Sequence, residues 1–310
     1  MTIAISGTTG ITLANQFDSA STFGFKNRII NGQMQIAQRA TSATITAGST
    51  IAAGYSTVDR FYVYCTGANV TAAQVAGSGA IKNNLQITGG ASVTAIGVGQ
   101  RIEQLNSYDM AGSTATLSVN LSNSLLTTVT WTAYYATTAD TFGTLASPTR
   151  TQIATGTFTV TSTLTNYSTQ ISIPAAATTG IEVVLTVGAQ TSGTWVIGSV
   201  QLEKGSTATS FDYRPYGTEL QLCQRYYEKA TFDVRTDARQ SASFANPLTV
   251  VEKRTSSYTP AYTAAASASS NISGTPTIAV INTRQVRFTY DSAAAGDTYY
   301  VRGFEMPAEL

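Results

Sequence analysis

Four carboxylates, Glu103, Glu182, Glu203 and Asp212, are the side chains best suited to chemistry in a chain that is otherwise poor in charge. A glycosidase needs two such groups roughly 5–10 Å apart across the scissile bond, one as acid and one as nucleophile or base. Spacing along the chain brings no two of them together, and a fold alone does not supply an active site. Glu203, beside Lys204, reads as a solvated strand edge or as an ion pair with Arg214. Histidine is absent altogether, which removes the usual general base, the middle member of a catalytic triad and the commonest metal ligand. Cys65 and Cys223 are the only cysteines. Two are too few to staple a secreted fold, and they read as buried free thiols rather than a disulfide or a metal pair. No P-loop occurs, and no G-x-G-x-x-G lies between a strand and a helix; the glycines of "TGG" (88–90) read as a hairpin turn. No cofactor is expected, and the chain reads as a non-enzyme.

Aromatic rings offer a different chemistry. Their negative faces meet the weakly positive axial C–H groups of a sugar ring, and a neutral sugar needs no charged partner. In "TVTWTAYYAT" (128–137) Val129, Trp131, Ala133 and Tyr135 share one face of a strand and read as core. Tyr134 points the other way and is the glycan candidate in the first half of the chain; Tyr299 and Tyr300 are the candidates near the C-terminus.

These residues need a scaffold, and composition says which kind. The 310 residues are 43% apolar, enough for a core in each of two domains, yet only 11% are charged, against roughly 25% for a typical soluble domain. Thr, Ser, Ala and Gly supply the remaining polarity, and Thr suits a pleated surface that meets water. The 18 basic and 17 acidic residues nearly cancel, so no long-range field favours nucleic acid or an anionic membrane. No apolar run approaches the ~18 residues of a membrane helix, and the start, "MTIAISGTTGITL", lacks the basic and apolar regions of a secretory signal.

From "NRIINGQMQIAQRA" to about Gly217 the hydrophobic period is two, clearest in "ATLSVNLS", where Ala115, Leu117, Val119 and Leu121 alternate with hydroxyls and an amide. Short strands separated by Gly, Pro, Ser and Asn indicate an antiparallel jelly-roll sandwich over 27–217. A short helix and a smaller β-sandwich domain follow over 218–310, whose last two strands, "RQVRFTYDS" and "DTYYVRGFEM", look paired. Thr218 and Gln221 form a capping-box pattern, and Leu220, Cys223, Tyr226 and Tyr227 make one apolar stripe. That stripe marks either an oligomer contact or a seam within the chain. Residues 1–26 carry Ile3, Ile5, Ile11 and Leu13 around "SGTTG" with no core of their own. They read as an extended arm that orders against a partner, or as a loose terminus.

Five separated motifs, "NRIINGQMQIAQR" (27–39), "VDRF" (58–61), "GQRIEQL" (99–105), "VQLEKGSTATSFDYRP" (200–215) and "ELQLCQRYYEK" (219–229), together resemble a recurrent family of bacteriophage tail-fibre and virion-appendage proteins, in the family's order. "ISGTTGITL" is similar to the Gly/Thr motif near the start of many tail fibres. Phe61 stands where the family commonly has Trp, which keeps an aromatic ring and loses an indole hydrogen bond. The resemblance implies a carbohydrate-binding-like jelly roll and a homotrimer mounted on the virion, on the tail by preference. It also implies an N-terminus attached to another virion protein, a host-surface glycan as receptor, and assembly in the host cytoplasm. The charged stretch 200–229 matches the family's inter-domain segment rather than a catalytic motif. A capsid-mounted head fibre or decoration protein is the alternative, and a polysaccharide depolymerase the third reading.

Overall fold

Alternation of apolar and hydroxyl side chains sets the architecture. The computed structural model describes residues 4–6, 10–12, 25–48, 55–79, 81–144, 147–238, 243–263, 268–294 and 296–310. For 4–6, 10–12, 232–238, 268–270, 296–299 and 301 it describes the backbone alone. Strands β1 (Ala4–Ser6) and β2 (Gly10–Thr12) pair antiparallel, with Ile5 opposite Ile11. Ile3 and Leu13, the other two proposed anchors, lie outside the described residues.

The first domain is a jelly-roll sandwich of antiparallel strands. In chain order these are β3 (Ser42–Ile45), β4 (Tyr62–Thr66), β5 (Val70–Ala76), β6 (Asn83–Thr88), β7 (Ala95–Ile102), β8 (Thr114–Asn123), β9 (Thr128–Ala136), β10 (Arg150–Thr159), β11 (Thr165–Ser172), β12 (Ile181–Val187) and β13 (Thr194–Lys204). One sheet runs β10-β9-β12-β7-β4 and the other β11-β8-β13-β6-β5-β3. The expected inward rows are the core: Ala115, Leu117, Val119 and Leu121 from β8 meet Val129, Trp131 and Ala133 from β9, with Tyr135 packed at their edge. Each large apolar side chain buried here stabilises the fold by about 1.5–3 kcal/mol.

Several expectations are corrected. Residues 27–39 are not a strand but a buried turn, in which Asn31 takes a left-handed backbone (φ 60°) that Asn tolerates better than most residues. Its amide bonds the Ile36 N–H and carbonyl and the Asp59 carbonyl, replacing the ladder bonds of a strand. The glycines at 89–90 do not make a hairpin, because β6 and β7 lie in different sheets. A Cβ on Gly89 would stand 2.3 Å from the Gln190 carbonyl, so the residue allows a close crossing of two loops. The helix, α1 (Tyr216–Gln224), follows Pro215. Thr218 is therefore its third residue and caps nothing; the Pro215 carbonyl accepts from Glu219 N–H at 3.0 Å.

The C-terminal strands are β14 (Tyr227–Ala238), β15 (Ser243–Thr249), β16 (Ala261–Tyr262), β17 (Ala268–Ser270), β18 (Ile272–Asn282), β19 (Gln285–Ser292) and β20 (Gly296–Pro307). β20 pairs with β14, β16 and β17, whereas β19 pairs with β15 and β18. The last two strands therefore lie in different sheets, contrary to the pairing read from sequence. Their aromatic residues face each other across the sandwich, with Phe288 and Tyr300 stacked at 5.4 Å. An alternating pattern is the same whether two strands lie side by side or face to face.

Candidate functional site

The five motifs converge on one buried polar seam. Gln100 answers both backbone groups of Ile30, accepting from its N–H at 2.7 Å and donating to its carbonyl at 2.8 Å. The Asn27 amide bridges the Val200 carbonyl and Leu202 N–H, and the Asp212 carboxylate accepts from Asn27 N–H. Arg214 reaches the carbonyls of Asn27 and Ile29 and the Glu219 carboxylate. Across the seam Arg60 is fully buried, paired with Glu309, with its guanidinium carbon 3.4 Å from the Tyr226 ring centre. Arg39 lies likewise 3.6 Å over Tyr227. Cys223 and Tyr226 pack on Ile30 and Ile36, with Leu220 partly buried beside them. Burial pushes the Cys223 thiol and the Tyr226 and Tyr227 phenols well above their usual values. Cys223, Tyr226 and Tyr227 are thus enclosed by their own chain, which leaves these three side chains no surface for a sister chain.

On the outer face of the five-stranded sheet stands a different arrangement. Tyr62 and Tyr64 of β4 are registered opposite Gly99 and Gly97 of β7, and each ring lies where a Cβ on that glycine would be. The two rings stack at 6.4 Å and 23°. Tyr134, partly exposed on β9, has the Arg150 guanidinium carbon 4.0 Å from its ring centre. Below them Glu182, opposite Tyr134 in register, is fully buried. It accepts from Tyr62 Oη at 2.8 Å, Arg101 Nε at 2.8 Å and Arg150. Burial raises the Tyr62 phenol well above its ordinary range, and the Glu182 charge adds to the rise. The Tyr64 phenol is raised too, by burial above all.

Three of the four carboxylates are held by ion pairs. Glu103 is reached by Arg225 at 3.1 Å, Glu182 by its two arginines, and Glu203 by Lys26 at 3.9 Å, alongside hydrogen bonds from Thr209 and Gln201. Asp212 serves the Asn27 backbone. Glu203 is buried, not a solvated edge, and Arg214 pairs with Glu219 instead. Tyr300 is 4% exposed in the C-terminal core, so it cannot reach a glycan. The side chain of Tyr299 lies outside the described residues. Among the described residues no cluster of three or more Cys, Asp or Glu is arranged to hold a metal ion, and no helix is long and apolar enough to cross a membrane. Sequence reasoning missed Arg150, Arg101 and Tyr62, because strand order alone brings them to Glu182. The pairing of "YVY" with "GVG" was the available signal: two tyrosines and two glycines at the same spacing of two.

No family model matches the chain, and no curated protein does either. Solved structures with partial likeness include the enzymatically active domain of bacteriophage CBA120 tailspike protein 4, at 16% identity and TM-score 0.35, over 52% of this chain and 22% of that one. TmCBM61 in complex with β-1,4-galactotriose aligns at 10% identity and TM-score 0.35, over 58% and 99%. The family 11 carbohydrate-binding module from Clostridium thermocellum, in complex with a mixed-linked tetrasaccharide, aligns at 10% identity and TM-score 0.33, over 55% and 99%. At these values the likenesses carry no conclusion about this chain.

Proposed function

We propose that the protein is a non-enzymatic virion appendage that binds a host-surface glycan, as a homotrimeric tail fibre attached through its N-terminal arm. The observation that carries the reading is the pair of partly exposed rings Tyr64 and Tyr134 on the outer face of the five-stranded sheet, above a buried Glu182 held by three donors. A buried carboxylate whose oxygens are taken up by a phenol and two guanidinium groups is poorly placed to attack a substrate, whereas partly exposed aromatic rings suit stacking on sugars. The motif resemblance supplies the virion context, and the convergence of those motifs on a seam accounts for them without an active site. Single sites of this type bind weakly, and three linked copies raise avidity by about 10²–10⁴.

Labelled antibody on intact particles tests the placement: label at the tail is expected, and label on the capsid would favour a head fibre or decoration protein instead. Lys26 bonds Thr209 and pairs with Glu203, so the arm to delete is residues 1–24. The truncated protein should fold and oligomerise normally, while particles made with it lack the appendage. Full occupancy on particles would refute attachment through the arm.

A further inference from the structure

The outer face of the six-stranded sheet carries a second, uncharged groove of about 190 Å³. Its floor is Ser118 and Asn120 of β8, Asn166 of β11 and Ser199 of β13; its wall is Phe211 and Tyr213. The wall is fastened to the sheet. Thr209 N–H and Oγ1 donate to the Glu203 carboxylate at 2.9 and 2.6 Å, and Asp212 N–H donates to Gln201 Oε1 at 2.8 Å. The stretch between Lys204 and Arg214 is thereby held across the strands, with Phe211 and Tyr213 edge to face at 5.2 Å and Tyr213 53% exposed.

Two features of the groove bear on what it could hold. Ser118 is 5% exposed, lines the groove, and its hydroxyl has no hydrogen-bond partner. A buried polar group left so costs about 1–3 kcal/mol and calls for a partner. Asn166 Nδ2 donates to Asn120 Oδ1 at 2.9 Å. An amide pair uses one donor and one acceptor in that bond, so the Asn120 NH₂ and the Asn166 carbonyl oxygen remain to meet a ligand's hydroxyls. The groove is lined by amides, hydroxyls, Ile81 and aromatic rings, with no carboxylate, ammonium or guanidinium among them. An ionic ligand would lose its hydration there without a counter-charge, and the volume is below the ~300–1,000 Å³ of drug-sized pockets.

The geometry points to a second saccharide site in this groove, taking one ring of a neutral oligosaccharide against Tyr213 with its hydroxyls on Ser118, Asn120 and Asn166. The inference rests on the glycan-binding reading above but places a ligand on the opposite sheet from Tyr134. The probe is a glycan array bearing neutral hexose and N-acetylhexosamine oligosaccharides alongside uronic-acid and sialylated ones, read with the full chain and the variants Ser118→Ala, Asn120→Ala, Tyr213→Ala and Tyr134→Ala. Neutral glycans should bind. Tyr213→Ala and Asn120→Ala should each weaken that binding about tenfold or more. Ser118→Ala removes a hydroxyl with no partner, so it should lower affinity without lowering the melting temperature. Binding of acidic glycans only, no binding of neutral ones, or groove variants that bind like the parent would each overturn the proposal. Adsorption to host cells separates the two readings: if it is lost in Tyr134→Ala and kept in the groove variants, the groove fails and glycan recognition stands. Absence of adsorption by the parent protein would fail the broader reading itself.

Discussion

Tyr226 is wholly buried, its ring under the Arg60 guanidinium and its hydroxyl without a hydrogen-bond partner. Tyr226→Phe should therefore be neutral or raise stability by up to about 1 kcal/mol, because a desolvated hydroxyl is removed and the ring stays. Tyr226→Ala should lose about 3–5 kcal/mol as a large cavity opens at the seam. Denaturant melts of the pair decide this, and a large loss in the Phe variant would mean that the hydroxyl has a partner. Glu182 is the opposite case: Glu182→Gln strips the counter-charge from Arg101 and Arg150, and breaking a buried pair costs about 3–5 kcal/mol. A melting temperature unchanged in that variant would show that solvent screens the cluster. The buried phenols and thiol also fix a pH dependence. Burial raises Tyr62, Tyr226, Tyr227 and Cys223 above their ordinary values. In the window above those ordinary values, near pH 9 for the thiol and 10 for the phenols, the unfolded chain has released protons that the folded chain keeps. Stability is whole below that window and falls as pH rises through it. Melts from pH 7.5 to 10.5 should fall steadily above about pH 9, with phenolate absorbance from these tyrosines appearing together with unfolding. Absorbance of that size in the folded protein would contradict their burial.

Strands and helix show which parts of this architecture are written locally. The alternation in β8 and β9 named their inward rows residue by residue, since a period of two leaves each side chain one face. Pairing and capping depend on distant partners and were not legible. β19 and β20 carry aromatic alternation that suits either a hairpin or two facing sheets, and the stacking of Phe288 on Tyr300 places them in facing sheets. Tyr300 became core by the same choice. At α1 the Thr218 pattern lost to Pro215, and Glu219 was drawn to Arg214 and the Asn31 N–H. Tyr134 was found because it is the outward tyrosine of a strong strand, but its partners Arg150 and Glu182 come from β10 and β12, and only the register β10-β9-β12 brings them together. Arg214 reaches three separate partners, two of them backbone carbonyls, so Arg214→Lys should not restore what Arg214→Ala loses, because an ammonium lacks the planar fork. Both variants should expose α1 to hydrogen exchange sooner than the β8–β13 core; equal protection in the Arg214→Lys variant and the parent protein would show that a single charge suffices.

Taken as one molecule, the chain is two β-sandwiches joined by a polar seam that holds several of its ion pairs. Glu103, Glu219 and Glu309 pair there with Arg225, Arg214 and Arg60, while on the outer face of the five-stranded sheet Glu182 is paired with Arg101 and Arg150, and the groove on the other sheet is lined by serine, asparagine and aromatic side chains. Such faces suit weak, repeated recognition of uncharged surfaces rather than steering by charge. The most direct measurement applies purified protein to host-cell polysaccharide and follows retention and reducing-end release in the same sample, for the parent, Tyr134→Ala and a monomeric form. The parent should be retained without releasing reducing ends, Tyr134→Ala should be retained less, and the monomer should be retained at least tenfold less through lost avidity. Release of reducing ends that grows with time, or retention of the monomer equal to that of the oligomer, would contradict this reading.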